Sequence, residues 1–372
     1  MRFLFMPLPG VGHSYPMVPL AWALRCGGHD VLVAVVEDSL ALRNAGLTVA
    51  DAMPGVTMRH LLRRLAEEQP DVTPRSSSGT HELRSVSRWL THASAYLTDA
   101  LVTIAEWFRP DVVIYSPLNG AALVAAERSN AVAVELRYSC ADENGLLDLQ
   151  HQELLSLFNR FGVSDRPRPV LTIDVVPRSV RTTPTDSVLL RPVVYNGGMF
   201  VPEWLRTEQD RPRVLVTTGT VRLNGLTTSR RVAEIAGDVT VEFLLTVDEA
   251  ESRELGPLPP NVRAVGWVPL GMILNTCSAV IHHGGSGTAL NALIAGIPQL
   301  IVPEGADQHA NGEALSQRGV GVITTHEMIS VATITHLMTT RKFTSAATQV
   351  AAEISRMPSL CEVVAILEHA GE

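Results

Sequence analysis

Short, largely apolar runs alternate along this chain with stretches in which apolar residues recur every three or four positions. In the first half the runs are Phe3–Met6, Val31–Val36, Val112–Tyr115 and Val132–Leu136. In the second half they are Val214–Thr217, Val241–Leu245, Val280–His283, Leu300–Val302 and Gly321–Thr324. Between them, Met17, Leu20, Ala21 and Leu24 make an i, i+3, i+4, i+7 stripe that stops at Gly27-Gly28. A strand whose residues are apolar on both faces has no face to give to water. Such strands belong in parallel sheets covered by helices on both sides, so the fold class is α/β. The chain has 372 residues. At roughly 100–200 residues per domain this suggests two domains, one large domain remaining possible.

Two stretches break the rhythm. Residues 69–85 are polar and rich in Pro, Ser and Gly, and read as a long mobile loop. Residues 163–209 carry many Pro and Arg, and their end, Val201-Pro202-Glu203-Trp204, reads as an interdomain linker. The expected division is a first domain over 1–200, a second over 201–355, and a C-terminal helix over 356–372 packing back on the first. Ser359 and Glu362 make a capping box for that helix, and Leu360, Val363, Val364 and Leu367 form its buried stripe.

Composition excludes several classes. Apolar residues make up 46% and charged residues 18%, enough to fill real cores, so wholesale disorder is out. The formal net charge is −8, and the basic clusters Arg63-Arg64 and Arg230-Arg231 are too short to track a phosphate backbone, so no nucleic-acid partner is expected. The four cysteines, Cys26, Cys140, Cys277 and Cys361, lie far apart and show no ligand spacing, so neither a disulfide framework nor a zinc site is expected. No apolar run approaches the ~20 residues that span a bilayer. The opening apolar stretch is broken by Pro7, Pro9 and Gly10 and reads as a first strand, not a signal peptide. A cytoplasmic protein with no membrane partner is the expectation. A homodimer is possible.

The chemistry concentrates in His282-His283-Gly284-Gly285-Ser286-Gly287-Thr288, where a strand ends, a glycine-rich turn follows, and a helix begins near Thr288. Orphan N–H groups and the positive end of the helix dipole gather at such a start and favour a phosphate. No Lys follows, which excludes a P-loop, and the spacing does not fit a dinucleotide fingerprint. The blander reading is a tight turn holding a buried histidine pair. About twenty residues on, Asp307 and Gln308 fall just past a strand's C-terminal end, where open α/β sheets bind ligands. A carboxylate beside an amide suits vicinal hydroxyls. Ahead of both, Val265-Gly266-Trp267-Val268-Pro269-Leu270 offers a wall for a base.

The order of GWVPL, HHGGSGT, AGIPQLIVPEGADQ and a closing MPSLCEVVAILE helix resembles the nucleotide-sugar glycosyltransferases of the GT-B fold. The branch it resembles most is the actinomycete one that puts deoxysugars on polyketides and macrolides. PGVGHSYPMVPLA near the N-terminus and the later Gly27-Gly28-His29-Asp30-Val31 carry the same resemblance. It covers nearly the whole chain except residues 51–101. It implies two facing Rossmann-like domains with a cleft between them, the first taking the acceptor and the second the nucleotide sugar. His283, Gly285, Gly287 and Thr288 would then hold the diphosphate. Trp267 and Val268 would border the base, and Asp307 and Gln308 would grip the sugar. Gly219 and Thr220 would touch the phosphates from the other side, an ordinary strand-to-helix turn being the equal alternative. The implied reaction is inverting displacement without a metal, from a dTDP-sugar to a hydrophobic aromatic polyketide or related acceptor, O- or C-linked. No cofactor is implied.

The resemblance also makes His13 a general base for the acceptor, and its ordinary pKa of about 6.5 suits that task. Many relatives give this histidine an aspartate partner at a later strand end. Here the corresponding position is Ser116, and Asp111 lies at the wrong end of the strand. Three readings follow: His13 works with Ser116 or water, an acid such as Asp142 assists, or the acceptor is an activated phenol that needs little help. A nucleotide-sugar epimerase on the same fold and a non-catalytic homologue supporting a partner transferase share these motifs.

Overall fold

A computed structural model describes residues 1–72, 80–141, 145–163, 167–207, 210–219 and 226–371. Thirteen strands are described, in two sheets, and the nine apolar runs account for nine of them; Val49–Asp51, Leu171–Asp174, Val188–Leu189 and Val262–Ala264 are strands beyond those runs. The first sheet contains β1 (Arg2–Met6), β2 (Asp30–Val35), β3 (Val49–Asp51), β4 (Val112–Tyr115), β5 (Val132–Arg137), β6 (Leu171–Asp174) and β7 (Val188–Leu189). The second contains β8 (Arg213–Thr217), β9 (Glu242–Leu245), β10 (Val262–Ala264), β11 (Ala279–His282), β12 (Gln299–Ile301) and β13 (Gly321–Ile323). Every pairing is parallel: Phe3 lies between Val31 and Val112, and Val216 between Leu245 and Ile281.

The strand orders are 3-2-1-4-5-6-7 and 10-9-8-11-12-13. Each order reverses once, between β1 and β4 in the first sheet and between β8 and β11 in the second. At such a reversal the connecting chains leave in opposite directions, and a crevice opens beyond the carboxyl ends of the central strands. The loops after β1 and β11, which carry His13 and His283, therefore sit at the two crevices.

Local chemistry sets the helix bounds. Pro16 and Pro19 keep residues 11–26 from forming one helix. A single turn over Val11–Ser14 passes through a 3₁₀ turn, Tyr15–Met17, into the helix Val18–Cys26, with Pro19 in the first turn where its missing N–H costs nothing. The loop expected over 69–85 is shorter than its composition suggests. A helix occupies Thr80–Ala95, while 73–79 lie outside the described residues. It packs on the helices Met58–Glu68 and Leu146–Glu153, and this burial overrides the polar local sequence. The Ser359–Glu362 capping box forms as expected, with Ser359 N–H donating to Glu362.

One apolar cluster crosses between the halves. Phe3, Leu20 and Leu24 pack with Val363 and Leu367 of the last helix, Leu360–Ala370, and the cluster continues through Leu290, Leu293 and Val350. His29 Nε2 lies 2.9 Å from Glu368 Oε1 on the same helix. No described helix is long and apolar enough to cross a membrane.

Candidate active site

His13 lies on the turn Val11–Ser14 after β1. Its loop is tied from three sides. Leu8 N–H donates to Ser116 Oγ at 2.7 Å, Gly10 N–H to Ser39 Oγ at 3.2 Å, and Asn119 Nδ2 to the Met6 carbonyl at 3.0 Å. Ser116 thus holds backbone and has no hydrogen bond to His13; it is one of three alternatives left open by the sequence. The partner is Tyr138, just past β5: its Oη lies 2.6 Å from His13 Nδ1, and the two rings meet edge to face. Asp142, the acid weighed as a second catalytic group, lies outside the described residues.

In the second crevice β11 ends at His282, and the two histidines take different duties. His282 is fully buried. Its Nδ1 accepts from Gly284 N–H at 3.1 Å, so Nε2 carries the hydrogen and donates to Gln299 Oε1 at 2.9 Å. Burial, aided by neighbouring His283, pushes its pKa down to about 3, so it is a neutral brace for the turn. His283 stays partly accessible, but its Nδ1 is buried without a well-formed hydrogen bond. Burial lowers its pKa as well, against the opposing pull of Asp307, Glu304 and the Thr217 backbone.

The His283 ring is held in a slot between two glycines. A Cβ on Gly219 would come within 2.4 Å of its Cε1, and one on Gly285 within 2.4 Å of its Nε2. Gly219 also has φ +72, a left-handed conformation that side chains resist. These two glycines therefore admit the histidine ring itself. The helix that follows runs Ser286–Ala295, beginning two residues before Thr288. Its N-cap, Gly285, offers no side chain to its first N–H groups. Gly287 and the largely buried Thr288 lie in that first turn. Thr220 lies outside the described residues.

Asp307 joins the two crevices. Its Oδ2 accepts from Ser286 Oγ at 2.9 Å and Asn311 Nδ2 at 2.9 Å, and lies 3.1 Å from Ser139 Oγ of the first half. Ser139 Oγ is also 3.0 Å from Asn311 Oδ1, so its single proton serves one oxygen at a time. Ala141 N–H donates to the same Asn311 oxygen at 2.8 Å. From the other side, Arg181 grips Asp174 through two bonds of 2.8 and 2.6 Å and donates to the Ala141 carbonyl at 2.9 Å. The β5 extension Tyr138–Ala141 is thus pinned by both halves. Burial lowers the pKa of His13, and the charge of Asp307 opposes the shift from across the cleft.

The remaining sequence candidates divide. The Gln308 side-chain oxygen accepts from Glu304 and Gly305 N–H at 2.8 and 3.2 Å, which leaves its NH₂ group to meet a ligand. Trp267 is 58% exposed and donates through Nε1 to the Asn196 carbonyl at 3.1 Å, while Val268 is buried beside it. Three participants lie outside the residues singled out from the sequence: Tyr138, Ser139 and Asn311. Asn311 had a signal, because it follows Asp307 by one helical turn. Tyr138 and Ser139 had none, since their partners lie far away in sequence.

Comparison with known proteins identifies the family. Residues 22–219 match the N-terminal domain, and residues 230–370 the C-terminal domain, of the family described as erythromycin biosynthesis protein CIII-like. Elloramycin glycosyltransferase ElmGT of Streptomyces olivaceus is 37% identical over all of this chain and 97% of its own length. The crystal structure of the glycosyltransferase SnogD from Streptomyces nogalater superposes with a TM-score of 0.84 at 34% identity, covering 99% of both chains. The Streptomyces sp. SF2575 glycosyltransferase SsfS6, solved with thymidine diphosphate, gives 0.85 at 28% identity, again over 99% of both chains. The chain belongs to the erythromycin biosynthesis protein CIII-like family and is a GT-B glycosyltransferase of the antibiotic deoxysugar-transferase type.

Proposed function

We propose that this glycosyltransferase moves a deoxysugar from a dTDP-sugar onto a hydrophobic aromatic polyketide or related natural-product acceptor, with inversion and without a metal ion. The observation that carries the reading is the placement of Asp307, whose Oδ2 meets Ser286 at the start of the second-half helix and Ser139 of the β5 extension, next to Tyr138, the partner of His13. A sugar bridging acceptor and diphosphate needs this order of groups: base, sugar ligand, anion ligand. The thymidine diphosphate bound to SsfS6 supports the donor class.

In the proposed reaction the acceptor hydroxyl attacks the anomeric carbon while His13 Nε2 takes its proton. A bond forms from acceptor oxygen to C1, and the bond from C1 to the diphosphate oxygen breaks with its electron pair on the phosphate. Attack from the face opposite the leaving group inverts C1. The uncapped start of the Ser286–Ala295 helix and the His283 ring face the charge that develops on the diphosphate, the task a cation would otherwise perform. Asp307 and the free amide hydrogens of Gln308 hold the sugar. Burial keeps His13 neutral near pH 7, as a base must be. For C-glycosylation the nucleophile is an aromatic carbon ortho to a phenolate, and the same His13 removes the proton.

Incubation with a dTDP-deoxysugar and an aromatic aglycone, with and without EDTA, tests the reading. The expected product carries the inverted anomeric configuration and forms at the same rate in both. Loss of product in EDTA ends the metal-free reading. A donor epimerised without acceptor points to the epimerase instead.

A further inference from the structure

We propose that Tyr138 is the positioning residue for His13: a neutral phenol oxygen, supplied by the extension of β5, fixes the orientation and tautomer of the base. The inference rests on the reading of His13 as that base.

Three observations carry it. The contact is short, 2.6 Å between Nδ1 and Oη. Tyr138 is only 7% exposed, so its phenol is packed in place, and its segment is pinned three residues on, at the Ala141 backbone, by Arg181 and Asn311. The position where a carboxylate would have stood is occupied by Ser116, whose oxygen accepts from Leu8 N–H and which has no hydrogen bond to His13.

The proton arithmetic then selects one tautomer. His13 can take a proton at Nε2 only if that nitrogen has a lone pair, so Nδ1 must carry the hydrogen and donate it to the phenol oxygen. The opposite arrangement, with the phenol donating to Nδ1, puts a hydrogen on Nε2 and leaves nothing to accept from the acceptor. During attack the proton moves from acceptor oxygen to Nε2, and the imidazolium that results still donates from Nδ1 to Tyr138. A carboxylate in that place would both orient the ring and offset its charge. A phenol only orients it. Of the elements packed beside His13, the 37–45 segment presents Ser39 to Gly10, the β5 extension presents Tyr138, and the second half presents Asp307. Among the described residues the charge acting on His13 thus comes from the donor half.

The test is the pH dependence of kcat in Tyr138→Phe and Tyr138→Asp, beside His13→Ala. In Tyr138→Phe, kcat is expected to fall about 10- to 100-fold with acceptor KM within about 2-fold, because orientation of a general base is worth part of its ~10²–10⁴-fold contribution. The acid limb should move to lower pH, since the imidazolium loses its acceptor. In Tyr138→Asp the limb should move to higher pH, because a carboxylate favours the charged ring. Tyr138→Phe with unchanged kcat and an unmoved limb overturns the proposal. So does a kcat loss that only follows a lower melting temperature while the limb stays in place. Should Tyr138→Asp fail to fold, Tyr138→Phe decides alone. Full turnover in His13→Ala removes the base reading itself, whereas an inactive His13→Ala beside a normal Tyr138→Phe removes Tyr138 alone.

Discussion

At the β11 crevice the groups that would meet a diphosphate come from residues 283–288, one strand end and the helix it feeds. At the β1 crevice His13 meets its hydrogen-bond partner 125 residues along the chain. Anion binding needs orphan N–H groups and close backbone approach, which a single strand–turn–helix supplies. Steering a base needs a side chain brought to one ring nitrogen from a separate element, so it draws on the whole sheet.

The largest expected effect separates the two crevices directly. His13→Ala should lower kcat by about 10²–10⁴-fold while leaving dTDP affinity within about 2-fold, as for removal of a general base. His283→Ala should weaken dTDP binding in a calorimetric titration. Equal losses of nucleotide affinity in both would erase the division of labour.

Next come the glycines around His283. Gly285→Ala and Gly219→Ala each force a methyl into the imidazole ring, and overpacking of this kind costs about 1–3 kcal/mol. Gly219→Ala should cost about 1 kcal/mol more, because it also strains a left-handed residue. Denaturant midpoints read the stability, and dTDP affinity should fall in both. Wild-type affinity in Gly285→Ala would mean that the slot does not set the ring.

His282 gives the pH prediction. Its folded pKa of about 3 lies below the ordinary 6.5, so the unfolded chain binds the proton more readily. The stability it contributes is therefore present above pH 6.5 and lost as pH falls from there toward 3. Melting temperature should fall across that window, and less steeply in His282→Gln. The smallest effect belongs to Ser139→Ala, about 0.5–1.5 kcal/mol for one shared hydrogen bond. It should loosen the two halves and leave the anion site intact, which a stability curve and a dTDP titration together would show.

Much of the architecture is legible in the amino-acid sequence. The apolar runs at Phe3–Met6 and Val214–Thr217 are buried strands, and the shifts at their ends amount to a residue or two, the usual fraying of element boundaries. The helix Thr80–Ala95 is not legible there, because its polar sequence is overruled by packing against two other helices. Within the site, the His282–Thr288 turn and Asp307 stand out because their partners are close in sequence or share a strand end. Even there, the separate duties of His282 and His283 are invisible along the chain, since they depend on Gln299 and on the slot between Gly219 and Gly285.

The sequence by itself determined two parallel sheets and the glycine-rich strand–turn–helix at His282–Thr288, because apolar periodicity and glycine placement act over a few residues and need no distant partner. The tertiary structure alone decided what faces His13. Sheet order carries the end of β5 toward the loop after β1, and the contact between the halves brings Asp307 across the cleft. A hydrogen bond requires two atoms within about 3 Å, and no pattern along a chain specifies which distant residue the fold delivers to that distance.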